Sequence, residues 1–156
     1  GNIRGARVEA ANRYIYLDTN PNGLSAANFK SLVTFATTNA DTVTYEIKNN
    51  GSTLGTGDLV PTGAKVTVKA SNASGGSATV TYTVIILGDT NCNGRIESGD
   101  ATRISLHYAG VRTMTGDALL AADTNRNGRV ESGDAVNISA KYAYTWDDKS
   151  YKSSLR

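Results

Sequence analysis

The chain has 156 residues, a net charge of +2 at pH 7 and only 19% charged residues, which is room for one medium domain or two small ones. No apolar run reaches the roughly 18 residues of a membrane span. Residues 1–87 hold 7 Lys/Arg against 5 Asp/Glu and residues 88–156 hold 9 against 9, so no basic stripe points to nucleic acid.

The first 86 residues read as a β-rich module. Arg13–Leu17 alternates, with Tyr14 and Tyr16 on one side and Ile15 and Leu17 on the other. Ser25–Val33 reads as a short helix capped by Ser25, with Ala27, Phe29, Leu32 and Val33 giving a partial apolar face. Thr42–Ile47, Lys65–Ala70 and Ala78–Leu87 are rich in Thr, Val, Tyr and Ile, as strands are. Asn49-Asn50-Gly51, Pro61-Thr62-Gly63 and Ser74-Gly75-Gly76 mark turns. One helix on several strands predicts an immunoglobulin-like sandwich, with a β-grasp-like sheet as the alternative. Tyr14 and Tyr16 also admit a sugar-stacking role, which would make this half a carbohydrate-binding module, although aromatic pairs on a strand are more often packing elements.

Residues 88–109 and 122–143 are a gapless repeat at an offset of 34. In each, the pattern D-x-N-x-N-G-R-x-E-x-x-D has the spacing of an EF-hand loop, whose oxygen ligands come from positions 1, 3, 5, 7, 9 and 12 around a glycine at 6. Asp89, Asn91, Asn93, Glu97 and Asp100 are the side-chain candidates in the first copy, with Arg95 offering its backbone carbonyl. Asp123, Asn125, Asn127, Arg129, Glu131 and Asp134 repeat the set. Each loop gathers three acids, so calcium is expected to be part of the fold. Cys92 is the lone cysteine, allows no internal disulfide and reads as a small loop residue. Ile96 and Val130, at position 8, are expected to pair the loops through a short strand contact.

A helix follows each loop. Ala101, Ile104 and Tyr108, and likewise Ala135, Ile138 and Tyr142, fall within about 60° of arc at 100° per residue and form the expected core stripe. A linker helix over 115–122, with Thr115 as its cap, joins the two copies. Outside the loops, 14 − 6 = 8 acids remain, scattered and without a nucleophile motif. No enzyme is read here, and the only histidine, His107, lacks an orienting acid.

The paired loop-helix repeats resemble dockerins, the cohesin-binding modules of cellulosomes. The resemblance implies a two-domain chain: a β-rich module over 1–86 and an all-α dockerin over 87–156, with repeat one at 88–110, repeat two at 122–144 and a tail at 145–156. It also implies two calcium ions and a secreted or cell-surface setting. The partner is a cohesin of a scaffold or cell-surface anchoring protein, with polysaccharide contacted only indirectly. Family recognition positions fall on Ser98, Gly99, Thr102, Arg103, Leu106 and His107, and on Ser132, Gly133, Val136, Asn137, Ala140 and Lys141. Because the outer faces of the two helices differ, one docking orientation is expected. By its position, the first half resembles an X module, a rigid spacer that stabilises the dockerin. Trp146 is expected to clasp the tail back toward the first loop, and chelation to unfold the dockerin while leaving the β module folded.

Overall fold

The computed structural model describes residues 6–9, 11–19, 22–33 and 41–143. Tyr144 and the tail, with Trp146, lie outside the described residues, as do the side chains of Ala140, Lys141 and Tyr142.

The chain runs β1 (Ala6–Glu9), β2 (Tyr14–Leu17), α1 (Ala26–Leu32), β3 (Thr42–Asn49), β4 (Ser52–Thr53), β5 (Lys65–Ser71), β6 (Ser77–Ile86), α2 (Ser98–Tyr108), α3 (Gly116–Ala122) and α4 (Ser132–Ala143). The strands form one six-stranded sheet in the order β1-β2-β6-β5-β3-β4. Its pairs are antiparallel except β2 against β6, where Tyr14 faces Thr83 and Leu17 faces Ile86.

The strands thus share one hydrogen-bonded sheet, not the two facing sheets expected of a sandwich. The reason lies in what covers the apolar face. Ile15, Leu17, Ile47, Val66, Val68, Val84 and Ile86 point to one side, where Ala26 and Phe29 from α1, its C-cap Val33 and Val60 from the loop between β4 and β5 close over them. The opposite face carries exposed Thr44, Glu46, Lys65, Lys69, Thr79 and Thr81, the period-two alternation of a sheet with one wet side. The strand β1 was not legible in the sequence, whereas α1 starts at the expected cap: the Ser25 hydroxyl accepts from the Asn28 N–H at 3.2 Å. It ends at Val33, whose carbonyl takes the Tyr45 hydroxyl at 2.6 Å.

The core does not stop at residue 86. Ile96, Ala101, Ile104, Met114, Ala122 and Ile138 belong to the same buried apolar cluster as the sheet's inner face. Around the join, the Leu87 N–H donates to the Leu17 carbonyl and the Gly88 N–H to the Ala121 carbonyl, both at 2.8 Å. A smaller cluster of Tyr16, Ile85, Leu87 and Ala121 sits on the other side of the sheet, where α3 packs on β6.

Two expectations in the helices need correction. Tyr108 is not core: it is 62% exposed, whereas Ala101 and Ile104 are buried. Tyr108 ends α2, and the turn after it is closed by the Val111 and Arg112 N–H groups donating to the Leu106 carbonyl. Thr115 holds the N-cap position of α3 but its side chain makes no capping bond.

Candidate metal centres

The two repeat loops share one backbone conformation. Gly94 and Gly128, at position 6, have φ of 84° and 86°, and the residues at position 4, Cys92 and Arg126, are left-handed at 61° and 55°. That winding curls successive N–H groups inward toward the first aspartate. In loop one the Asn93 N–H donates to Asp89 Oδ1 at 3.0 Å and the Gly94 N–H to Asp89 Oδ2 at 2.9 Å. In loop two the Asn127 and Gly128 N–H groups do the same to Asp123 at 3.1 and 2.8 Å. Asn91 Oδ1 and Asn125 Oδ1 accept from the amides two residues on, and so do Asn93 Oδ1 from Arg95 and Asn127 Oδ1 from Arg129. These Asx turns place the asparagine oxygens along the inside of each curl.

The aspartate at position 12 closes each loop from the first turn of the next helix. Asp100 Oδ1 accepts from the Thr90 and Asn91 N–H groups at 3.0 and 3.1 Å, and Oδ2 from the Glu97 N–H at 2.8 Å. Asp134 repeats this with Thr124 at 3.0 Å and Glu131 at 2.8 Å. Glu97 stands further off, its Oε2 3.5 Å from Asn93 Nδ2.

Among the described residues, no three His, Cys, Asp or Glu side chains converge as a metal cluster. Each loop instead combines its aspartates with neutral amide and peptide oxygens, a hard donor set suited to calcium. The electrostatics fit the same ion. Asp89, Asp100 and Asp134 are buried, and the ion pairs formed among the described residues, Lys48–Glu46 and Arg126–Glu9, involve none of them. Burial pushes the carboxyls of Asp89, Asp100 and Asp123 upward, and for Asp89 the nearby Asp100 charge adds to it. A buried carboxylate without a cation is costly, and a divalent ion would remove that cost.

Position 8 behaves differently from expectation. Ile96 and Val130 both pack into the core, but no strand pairing joins them among the described residues.

The helices after the loops, α2 and α4, pack against each other. A shallow groove between them is lined by equivalent residues of the two repeats: Ser98 and Ser132, Ala101 and Ala135, Thr102 and Val136, Ser105 and Ser139. Of the predicted recognition positions, Ser98, Gly99, Thr102, Arg103, Ser132, Gly133 and Val136 are exposed. Leu106, His107 and Asn137 are half-buried. His107 Nδ1 accepts from the Met114 N–H at 2.8 Å, and Asn137 Nδ2 donates to Thr124 Oγ1 at 3.1 Å. Both side chains are therefore engaged with their own fold.

The β-rich half also reaches the loops. The Thr62 N–H, from the β-rich half, donates to Asp89 Oδ2 at 2.9 Å. Arg126 lies over the Tyr16 ring, 3.7 Å from its centroid, and pairs with Glu9 at 3.3 Å. The first is a backbone bond and leaves no mark on sequence. The second had a signal: position 4 is one of the few places where the loops differ, Cys92 against Arg126. Tyr16 is 4% exposed and covered by this guanidinium, so it offers no face to a sugar ring.

No curated protein and no solved structure matches the chain. Dockerin type I domains bind calcium, dock onto cohesins in cellulosome-like assemblies and are themselves non-catalytic. Residues 87–141 match the family model of the dockerin type I domain.

Proposed function

We propose that the chain is a non-catalytic docking unit that binds two calcium ions and presents its α2–α4 face to a cohesin of an extracellular polysaccharide-degrading complex. Asp89, Asn91, Asn93, the Arg95 carbonyl, Glu97 and Asp100 hold the first ion. Asp123, Asn125, Asn127, the Arg129 carbonyl, Glu131 and Asp134 hold the second. The observation that carries this reading is the duplicated loop, in which the first aspartate accepts from the N–H at position 6 and the closing aspartate from that at position 9, with the same left-handed residues at positions 4 and 6.

The docking face runs along the groove through Ser98, Thr102, Ser132 and Val136, with Gly99, Arg103 and Gly133 beside it. Residues 1–86 act as an X-module-like spacer that holds the dockerin, residues 87–156, rather than as a catalytic or sugar-binding module. The outer faces differ, Arg103 against Asn137 and Thr102 against Val136, which favours one docking orientation.

Calorimetry on chelator-stripped protein tests the ion count: two calcium ions are expected, and one fewer in each of Asp100→Ala and Asp134→Ala. An array of cohesins probed with and without chelator tests the partner. Binding is expected only with calcium, weakened by Val136→Asp at unchanged calcium stoichiometry. Calcium-independent capture, or none by any cohesin, would overturn the docking assignment.

A further inference from the structure

The two loops have the same backbone but different surroundings. Asp89 and Gly94 in loop one are buried, whereas Asp123 is half-buried and Gly128 exposed. The difference comes from a strap, residues 59–62, that crosses loop one. A methyl group built on Gly94 would stand 3.0 Å from Leu59 Cβ and 3.4 Å from the Val60 carbonyl oxygen, while one built on Gly128 would meet nothing within 4 Å. The strap is itself fixed: the Val60 N–H donates to the Leu24 carbonyl at 2.8 Å, and the Thr62 hydroxyl bonds both the carbonyl and the N–H of Ile86. From this rigid position the Thr62 N–H gives Asp89 a third backbone donor. The first aspartate of loop two draws its backbone donors, Asn127, Gly128 and more weakly Arg126, from its own loop alone.

We propose that the β-rich half is a working part of calcium site one: Thr62 positions Asp89 and the strap bars the way out, so site one holds its ion tightly and slowly while site two exchanges with the medium. This rests on the two-site reading above. A buried outer-shell donor orients its ligand before the ion arrives, and losing such a partner typically costs about 10-fold to 100-fold in metal affinity. The loop with the exposed glycine has no such support and would follow ambient calcium.

The experiment is stopped-flow release of calcium from the whole loaded chain into a fluorescent chelator, with equilibrium dialysis giving the stoichiometry. Two phases are expected. Asp134→Ala removes the fast one. Thr62→Pro, which lacks the N–H, speeds the slow one by about 10-fold or more and leaves the fast one unchanged. Leu59→Ala loosens the strap without touching Asp89; it should act in the same direction and keeps the test open should the proline variant not fold. Two ions released at one rate, a slow phase abolished by Asp134→Ala, or a slow phase that neither strap variant accelerates overturns this inference alone. Fewer than two ions bound to the parent overturns the reading beneath it.

Discussion

The guanidinium of Arg126 lies 3.7 Å from the centre of the Tyr16 ring, so the second repeat loop is pinned to the second strand of the sheet by a stacked cation. The same side chain reaches Glu9 at 3.3 Å, on the hairpin strand beside it.

Both groups are largely withdrawn from water, where a cation over an aromatic face contributes about 0.5–2 kcal/mol. Arg126→Ala is expected to destabilise the calcium-loaded chain by about 1–2 kcal/mol in urea unfolding. Arg126→Lys should recover less than half of the loss, because an ammonium cannot stack as a planar guanidinium does. Full recovery by lysine would mean that charge alone ties the loop down.

Gly88 is the hinge between β6 and the first loop. Its φ is 96°, and an added Cβ would stand 3.3 Å from Ile138 Cγ1 and 3.4 Å from Ile96 Cδ1. Gly88→Ala combines backbone strain with crowding in the core and should cost about 2–4 kcal/mol. Gly75→Ala, at φ 88° in open space, carries only the strain of about 1 kcal/mol. Differential unfolding of the two variants checks the order; equal losses would show that the core around Gly88 yields freely.

Chelation should not dismantle one half alone. The sheet's inner face and the apolar residues of both repeats form one buried cluster, which couples their unfolding. Scanning calorimetry is expected to show a single transition whose Tm rises with calcium. Metal at about 1,000-fold over its Kd adds roughly 4 kcal/mol per site. Two transitions, only one of them calcium-dependent, would instead match the independence read from the sequence.

Tyr45 sets a pH limit. Burial pushes its hydroxyl from the ordinary 10.0 up to about 12, and the hydroxyl donates to the Val33 carbonyl. The folded chain keeps this proton while the unfolded chain loses it, so the contribution is whole below pH 10 and is lost as the pH rises to about 12. Tyr45→Phe should flatten the fall in stability across that range. Burial raises the Tyr16 hydroxyl as well, so tyrosinate absorbance should show fewer tyrosines titrating near pH 10 in the folded parent than in urea, and Tyr45→Phe should shrink that deficit by one; an unchanged deficit would contradict the protected hydroxyl.

The curl of the two repeat loops was legible because a loop of this kind is a local object. Twelve consecutive positions carry both the oxygens and the glycine that lets the chain curl, so Asp89 to Asp100 and Asp123 to Asp134 declare their geometry without help from the rest of the molecule. The strands and α1 were readable for a similar reason, since alternation and a serine cap act over a few residues. What the tertiary structure alone decided is everything that joins distant segments. A period of two says that Ile15 and Val66 face a core, but not that α1 covers it in place of a second sheet. Helical spacing put Tyr108 inward, and the turn after it left the ring in water. The bond from Thr62 to Asp89 is made by a backbone N–H, which every residue but proline possesses; only the path of the chain could bring that one to the calcium loop.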